Sequence, residues 1–439
     1  MKFSNLPLSL TDMSAPVIGI ASRTQTPKGL RLHIGLFGRR NAGKSSLINA
    51  LTNQKIAIVS DVPGTTTDPV EKACELAPIG PVVFIDTAGV DDVGELGGLR
   101  TERSLAVLGW VDVALIVCDA KALTESELEL IRTVKSTATP TVVVLNKADT
   151  ADAKELIATQ EQVRSLGYEP VTVCASQKLN IDAVREAIVK LAQNAVEPDL
   201  PLLGDLVHPG DTVMLVTPID TGAPKGRMIL PQVQAIREVL DADAKCIVVR
   251  ENRLAETLTN EKEPPAFVVT DSQVVQSVVA QTPKTIPVTT FSIQMAYSKC
   301  DLVEMARGAA MIDFLRPGDK VMICETCSHH PQPDDIGRKK LPRWLAKKVG
   351  GELDIEVVVG KDFPVDLTPY KLILQCGGCV VTRRHMLTRL AQAKRQNIPM
   401  TNYGVAISHL QGVLERALEL HPKALKAFHE AREIVANHF

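Results

Sequence analysis

Aromatic side chains are scarce in this sequence: 2 Trp, 4 Tyr and 9 Phe make up 3% of 439 residues. Platforms on which nucleic-acid bases could stack are correspondingly few. Positive charge is not in excess either. Lys and Arg number 49 against 51 Asp and Glu, a net charge of −2, and the basic footprint of a nucleic-acid-dominated protein is missing. No apolar run approaches the roughly 20 residues that span a bilayer. Met1 to Leu10 lacks the basic cluster and long apolar run of a secretory signal. The expectation is a cytoplasmic protein with no membrane and no nucleic-acid partner. The nine cysteines should then be mostly reduced, and clustered ones point to metal or redox chemistry rather than to disulfides.

At 45% apolar residues over this length, the chain exceeds what one core can organise, so two or three domains are expected. Residues 1–30 show no sustained periodicity and read as a loosely ordered lead-in. Over 31–197, short apolar runs alternate with helical stretches; the runs are His33–Gly38, Val82–Asp86, Val113–Cys118, Thr141–Asn146 and Val171–Cys174. That rhythm predicts an α/β domain with a mostly parallel sheet. Glu197–Gly210, with three prolines and two glycines, looks like a linker. A small α/β unit at 198–264 follows, with strands at Thr212–Thr217 and Cys246–Arg250 around a helix at Pro231–Leu240. It is short for an independent core, and pairing with a second copy would relieve the shortage. After the polar run Glu251–Pro265 the βα rhythm returns over 265–439. Its candidate strands are Phe267–Thr270, Val288–Phe291, Lys320–Ile323, Asp354–Val359, Lys371–Leu374 and Pro399–Thr401.

Gly38-Arg39-Arg40-Asn41-Ala42-Gly43-Lys44-Ser45 has the spacing of a phosphate-binding P-loop, between a predicted strand and a predicted helix at Ser45–Leu51. Its glycines let backbone N–H groups turn inward, and the helix N-terminus adds partial positive charge. Lys44 would reach the outer phosphates and Ser45 would complete a magnesium shell, with Ser46 beside it. Asp86-Thr87-Ala88-Gly89 ends a further apolar run, placing a carboxylate near the magnesium and the Gly89 amide near the terminal phosphate. Asn146-Lys147-Ala148-Asp149 ends another. Guanine offers two adjacent donors that one carboxylate accepts together, so Asp149 selects GTP. Cys174-Ala175-Ser176 then supplies a backbone amide for the guanine oxygen.

With these motifs in this order, residues 31–190 resemble the GTPases of the Era and MnmE type, including Pro63-Gly64-Thr65-Thr66-Thr67-Asp68 as the switch segment. The resemblance implies that Thr66 senses magnesium; Thr67 stands where those relatives usually carry arginine. Val90 follows Gly89 where Ras-like enzymes carry a water-positioning glutamine nearby, so intrinsic hydrolysis should be slow. In MnmE-like GTPases an asparagine at the Asn41 position helps hold a potassium ion. Asn41 either does the same, joining Lys44 and Thr66 in catalysis, or makes ordinary P-loop hydrogen bonds.

The third region holds Cys324-Glu325-Thr326-Cys327-Ser328-His329-His330 after one predicted strand and Cys376-Gly377-Gly378-Cys379 after another. Soft thiolates converging from two strand ends suit zinc or iron–sulfur binding. Cys74, Cys118, Cys174, Cys246 and Cys300 stand alone and read as small apolar residues. Arg338, Arg343, Arg383 and Arg384 lie close in sequence to the clusters, as anion holders or as solvated helix faces.

Taken in order, the GTPase, the small unit, the Cys-x-His and the Cys-x-x-Cys resemble the HydF family, GTPases that mature FeFe-hydrogenase. Ala223-Pro224-Lys225-Gly226-Arg227, Leu230-Pro231-Gln232, Asp334-Asp335-Ile336-Gly337-Arg338 and Thr401-Asn402-Tyr403-Gly404-Val405-Ala406 extend the match. The resemblance implies a 4Fe–4S cluster held by Cys327, Cys376 and Cys379, with His329 as a candidate for its exchangeable position. It also implies a homodimer formed through the middle unit, and a scaffold that receives a diiron precursor and passes it to the apo-hydrogenase. The radical-SAM maturation enzymes would be its other partners. Two departures stand out: Gln375 replaces the family's histidine, and Cys324 is an additional cysteine. The competing readings are an RNA-modification or ribosome-assembly GTPase with a structural zinc, and a metal-free nucleotide-gated interaction module.

Overall fold

The computed structural model describes residues 26–52, 69–89, 105–137, 139–194, 200–219, 228–326 and 335–437. The first sheet is built from β1 (Leu32–Phe37), β2 (Val70–Leu76), β3 (Gly80–Asp86), β4 (Val113–Asp119), β5 (Thr141–Asn146) and β6 (Val171–Thr172). Its order is β2-β3-β1-β4-β5-β6, with β2 antiparallel to β3 and every other pair parallel. The period of two in β1 sends Ile34 and Leu36 to one face, where Leu47, Ile48, Val184 and Ile188 cover them. Phe37 packs on the other face with Ile131, Val134 and Val163. All seven residues of β4 are buried, as expected of a central parallel strand covered on both sides.

The second sheet contains β7 (Thr212–Val216), β8 (Lys245–Val249), β9 (Phe267–Thr270) and β10 (Val288–Thr290), in the order β10-β9-β7-β8 and parallel throughout. The third contains β11 (Lys320–Glu325), β12 (Asp354–Val359), β13 (Leu372–Gln375) and β14 (Met400–Asn402), in the order β12-β11-β13-β14, again parallel. The α/β class read from the sequence therefore holds in all three sheets, and the P-loop domain has the expected mostly parallel sheet.

The boundary read at 264/265 is corrected by the second sheet. Phe267–Thr270 and Val288–Thr290 join Thr212–Val216 rather than the C-terminal sheet. The physical reason is the shortage of core noted above: two strands and a helix bury too little, and β9 and β10 bring in Phe267, Val269, Val268 and Val288. The supposed linker is also partly folded. Leu202 and Leu203 are buried in this core, and their N–H groups donate to Glu238 at 2.9 and 2.8 Å. Within the lead-in, Lys28–Leu30 forms a short 3-10 turn. Among the described residues no helix is long and apolar enough to cross a membrane.

Candidate functional site

The P-loop runs from the end of β1 into the helix Lys44–Thr52. Asn41 and Gly43 adopt positive φ, 60° and 96°. A Cβ at Gly43 would lie 2.1 Å from the amide nitrogen of Asn146, so only glycine lets that side chain pass beneath the loop. The Asn146 amide donates to the Ala42 carbonyl at 2.9 Å, and its oxygen accepts the Ala175 N–H at 3.0 Å. One buried side chain thus ties the phosphate loop to the loop after β6.

Lys44 Nζ lies 3.0 Å from the carbonyls of both Gly38 and Arg39. Ser45 Oγ donates to Asp86 Oδ2 at 2.7 Å, so the two magnesium candidates meet although 41 residues separate them. Asp149 is exposed and held from behind by the Cys174 thiol at 3.0 Å and the Gln177 amide at 3.2 Å. Asn41, Gly43, Lys44, Ser45, Ser46, Lys147 and Asp149 border one cavity of about 450 Å³, within the usual range for a ligand pocket. Asp119 was missed by sequence reading. It ends β4 and takes both Arg39 and Lys147 at 3.3 Å, and its only sequence signal is an acidic residue at the end of an apolar strand. Gly89 follows β3 as the last residue described before 105, whereas Thr66 and the rest of 53–68 lie outside the described residues.

The cysteines of the third domain separate by environment. Cys324, within β11, is fully buried in the hydrophobic core, and burial pushes its thiol up to about 12. Cys376 follows β13 at the carboxyl edge of the sheet and is only partly buried. Its sulfur accepts the Thr326 N–H at 3.2 Å, with the Thr326 hydroxyl at 3.1 Å and the Gln375 amide nitrogen at 3.4 Å. Cys379 comes after a turn in which Gly378 has φ 68°; it packs against the middle-domain core beside Phe291 and Met295. Cys327 and His329 lie outside the described residues. Among those described, no three His, Cys, Asp or Glu side chains are grouped to hold a metal.

Surrounding groups close the site on two sides. Gly29, ahead of β1, presses so near the Cys379 loop that a Cβ would lie 2.5 Å from the Cys379 carbonyl oxygen. The buried Lys299 ammonium donates to the Gly29 carbonyl at 2.6 Å. Of the four arginines considered as anion holders, Arg338 is paired with the buried Glu325 at 3.0 Å. Arg383 donates to the carbonyls of Ser298 and Cys300 at 2.7 and 3.0 Å, and Arg384 to Thr139 at 2.9 Å. Arg343 is exposed. Arg389 was missed: it is 2% exposed and reaches Gln375.

Family comparison follows these boundaries. The hydrogen maturase F dimerization domain matches residues 202–300, the hydrogen maturase F tetramerization domain residues 303–420, and a 50S ribosome-binding GTPase model residues 33–147. Among curated proteins, the tRNA modification GTPase MnmE of Trichormus variabilis is 38% identical over 167 residues, covering 37% of this chain and 34% of the relative. GTPase Der of Wolinella succinogenes is 34% identical over 172 residues, covering 37% and 36%. The chain thus spans about a third of the length of these relatives. A solved structure of Aquifex aeolicus Era is 20% identical, covers 52% of this chain and 97% of that one, and has a TM-score of 0.33.

Proposed function

The chain belongs to the hydrogen maturase F family, with a GTPase domain of the Era and MnmE type, and we propose that it is a scaffold GTPase that carries a 4Fe–4S cluster and a diiron precursor for FeFe-hydrogenase. The observation that carries the cluster assignment is the contrast between two sulfurs one strand apart. Cys376 stands at the sheet edge with hydrogen-bond donors already directed at it, as a metal-bound thiolate requires. Cys324 is sealed in the core as a small apolar residue. The surroundings of Cys376 support a cluster at that sulfur, and the family resemblance supplies Cys327 and Cys379 as the other thiolates and His329 for the exchangeable position. When bound, the cluster would supply an iron to which the cargo attaches. The chain's own Thr326 and Gln375 orient the Cys376 sulfur.

In the GTPase domain, Ser45 and Asp86 hold magnesium, with Thr66 as its sensor, and Lys44 binds the outer phosphates. Asn146 fixes the P-loop to the base-reading loop, where Asp149, Lys147 and the Ala175 amide take guanine. Asn41 holds a potassium ion that supplies charge to the hydrolytic step. The dimerization and tetramerization domains make assembly part of the architecture. The middle domain offers a surface for it: β8 is an edge strand with Val248 43% exposed, beside Val233 and Leu240 at 49% and 56% on the neighbouring helix. Apo-hydrogenase and the radical-SAM maturation enzymes are the partners this reading implies. Metal analysis of anaerobically purified protein tests it. Iron with sulfide supports a cluster scaffold; zinc alone would favour a structural metal site, and a metal-free chain would overturn the assignment.

A further inference from the structure

Arg389 is a buried cation with no carboxylate against it among the described residues. It lies one turn beyond His385 on the helix Arg383–Arg395, whose start is capped by the Thr382 hydroxyl. Nη1 donates to Oε1 of Gln375 at 3.0 Å, while Nη2 donates to the carbonyls of Gly360 and Asp362 at 2.9 and 3.3 Å; Nε has no hydrogen-bond partner among the described residues. A guanidinium keeps its charge in proteins, and burying a charge without a counter-charge is strongly unfavourable. Asp362 and the thiols of Cys376 and Cys324 act on it electrostatically without forming an ion pair among the described residues, so a full counter-charge is expected on the Cys376 side.

Gln375 shows where. Its side chain is fully buried. A guanidinium only donates, so the atom facing Arg389 must be the amide oxygen, which turns the NH₂ group toward Cys376 Sγ at 3.4 Å, with the carbonyls of Cys376 and Cys324 at 3.4 and 3.5 Å as its other acceptors. Arg389, by drawing on the carbonyl, strengthens the amide as a donor to sulfur. This places a polarised donor beside the cysteine, so the residue serves the sulfur rather than a metal.

We infer that Arg389, acting through Gln375, is a positioning residue that holds the Cys376 sulfur for an anionic iron–sulfur group and raises that group's reduction potential. Donors to a ligating sulfur withdraw electron density and favour the reduced, more negative state. The inference rests on the proposed cluster. A purely structural role, pinning the Gly360–Asp362 turn, would alter thermal stability without altering the potential.

The test uses full-length protein with its cluster reconstituted anaerobically. Gln375→Glu keeps the shape and gives Arg389 a partner, but replaces the donor by an acceptor. It should retain bound iron and sulfide while lowering the midpoint potential and changing the paramagnetic resonance spectrum of the reduced cluster. Arg389→Met should lower the potential in the same direction, and Arg389→Lys should recover part of the loss. If Arg389→Met does not fold, Gln375→Glu carries the decision. Parent potential and spectrum in a fully loaded Gln375→Glu protein would overturn the inference. A parent protein that takes up no iron and sulfide would instead overturn the cluster assignment beneath it.

Discussion

Trp110 of the GTPase domain stacks on His385 of the C-terminal domain, with ring centroids 6.4 Å apart and planes at 24°. His33 meets the same indole edge-on at 6.0 Å, and the Lys361 ammonium lies over its face, 3.2 Å from the ring centroid. Lys361 also pairs with Glu71 on β2, which Lys28 contacts as well. Nucleotide-binding and cysteine-bearing domains therefore meet across a compact polar and aromatic seam.

That seam should weaken in acid. Burial lowers His33 from 6.5 to about 4 and holds His385 well below 6.5. In both cases the folded state resists a proton that the unfolded chain accepts. Stability is thus complete above about pH 6.5 and falls as pH drops toward 4, by about 3 kcal/mol from His33 alone near the lower limit. Thermal melts of the parent and His385→Phe between pH 7 and 4.5 check this. The variant, which keeps an aromatic ring against Trp110, should lose stability less steeply; equal slopes would remove His385 from the account.

Base choice should reside in Asp149. Asp149→Asn exchanges an acceptor for a donor, so GTP turnover should fall by at least about 100-fold while xanthosine triphosphate becomes a substrate. Steady-state hydrolysis of both nucleotides decides the matter. Continued preference for GTP would mean that another group reads the base.

Turnover should depend on potassium. The site offers Asn41 at positive φ on the cavity edge, and no glutamine follows Gly89 directly. Replacing potassium by sodium at constant ionic strength should slow hydrolysis several-fold with nucleotide affinity retained. Identical rates in the two salts would restrict Asn41 to holding the loop.

Single cysteine variants should divide into two groups. Cys327→Ala, Cys376→Ala and Cys379→Ala should each abolish the reconstituted cluster. Cys324→Ala should keep iron, sulfide and spectrum, yet lower stability by about 1 kcal/mol because a small cavity opens in the core. Iron content measured beside a melting curve separates these outcomes. Loss of iron with Cys324→Ala would indicate a closed four-cysteine site without an open iron.

The GTPase strands were legible because each motif follows an apolar run, and parallel topology gathers strand ends along one edge. Val70–Leu76 was not. It is an outer strand whose residues are mostly exposed or half-buried, so Val-Glu-Lys-Ala-Cys-Glu-Leu carries little of the alternation that marks a strand. Phe267–Thr270 was recognised as a strand and assigned to the wrong sheet, since local periodicity says nothing about which neighbour a strand will pair with. Arg389 was invisible for a related reason. It shares its helix with Arg383, Arg384, Lys394 and Arg395 and reads as one more solvated charge until the fold turns it inward. Asp149 could be read from sequence because Asn146–Asp149, weak as a lone tetrapeptide, follows the P-loop and Asp86–Gly89 in the expected order.

The contact between Gly29 and the Cys379 loop has a practical consequence for anyone dividing this protein into fragments. A GTPase fragment that starts at Arg31, the edge suggested by the P-loop strand, keeps every nucleotide motif but leaves out Gly29 and the turn around it. Neither that fragment nor a C-terminal one then contains the turn that covers Cys379 and accepts the Lys299 ammonium. A separately expressed C-terminal portion would expose that loop to solvent and leave Lys299 without this acceptor. Failure of such a fragment to retain metal would then report a lost wall, and only the intact chain would tell whether the ligands themselves suffice.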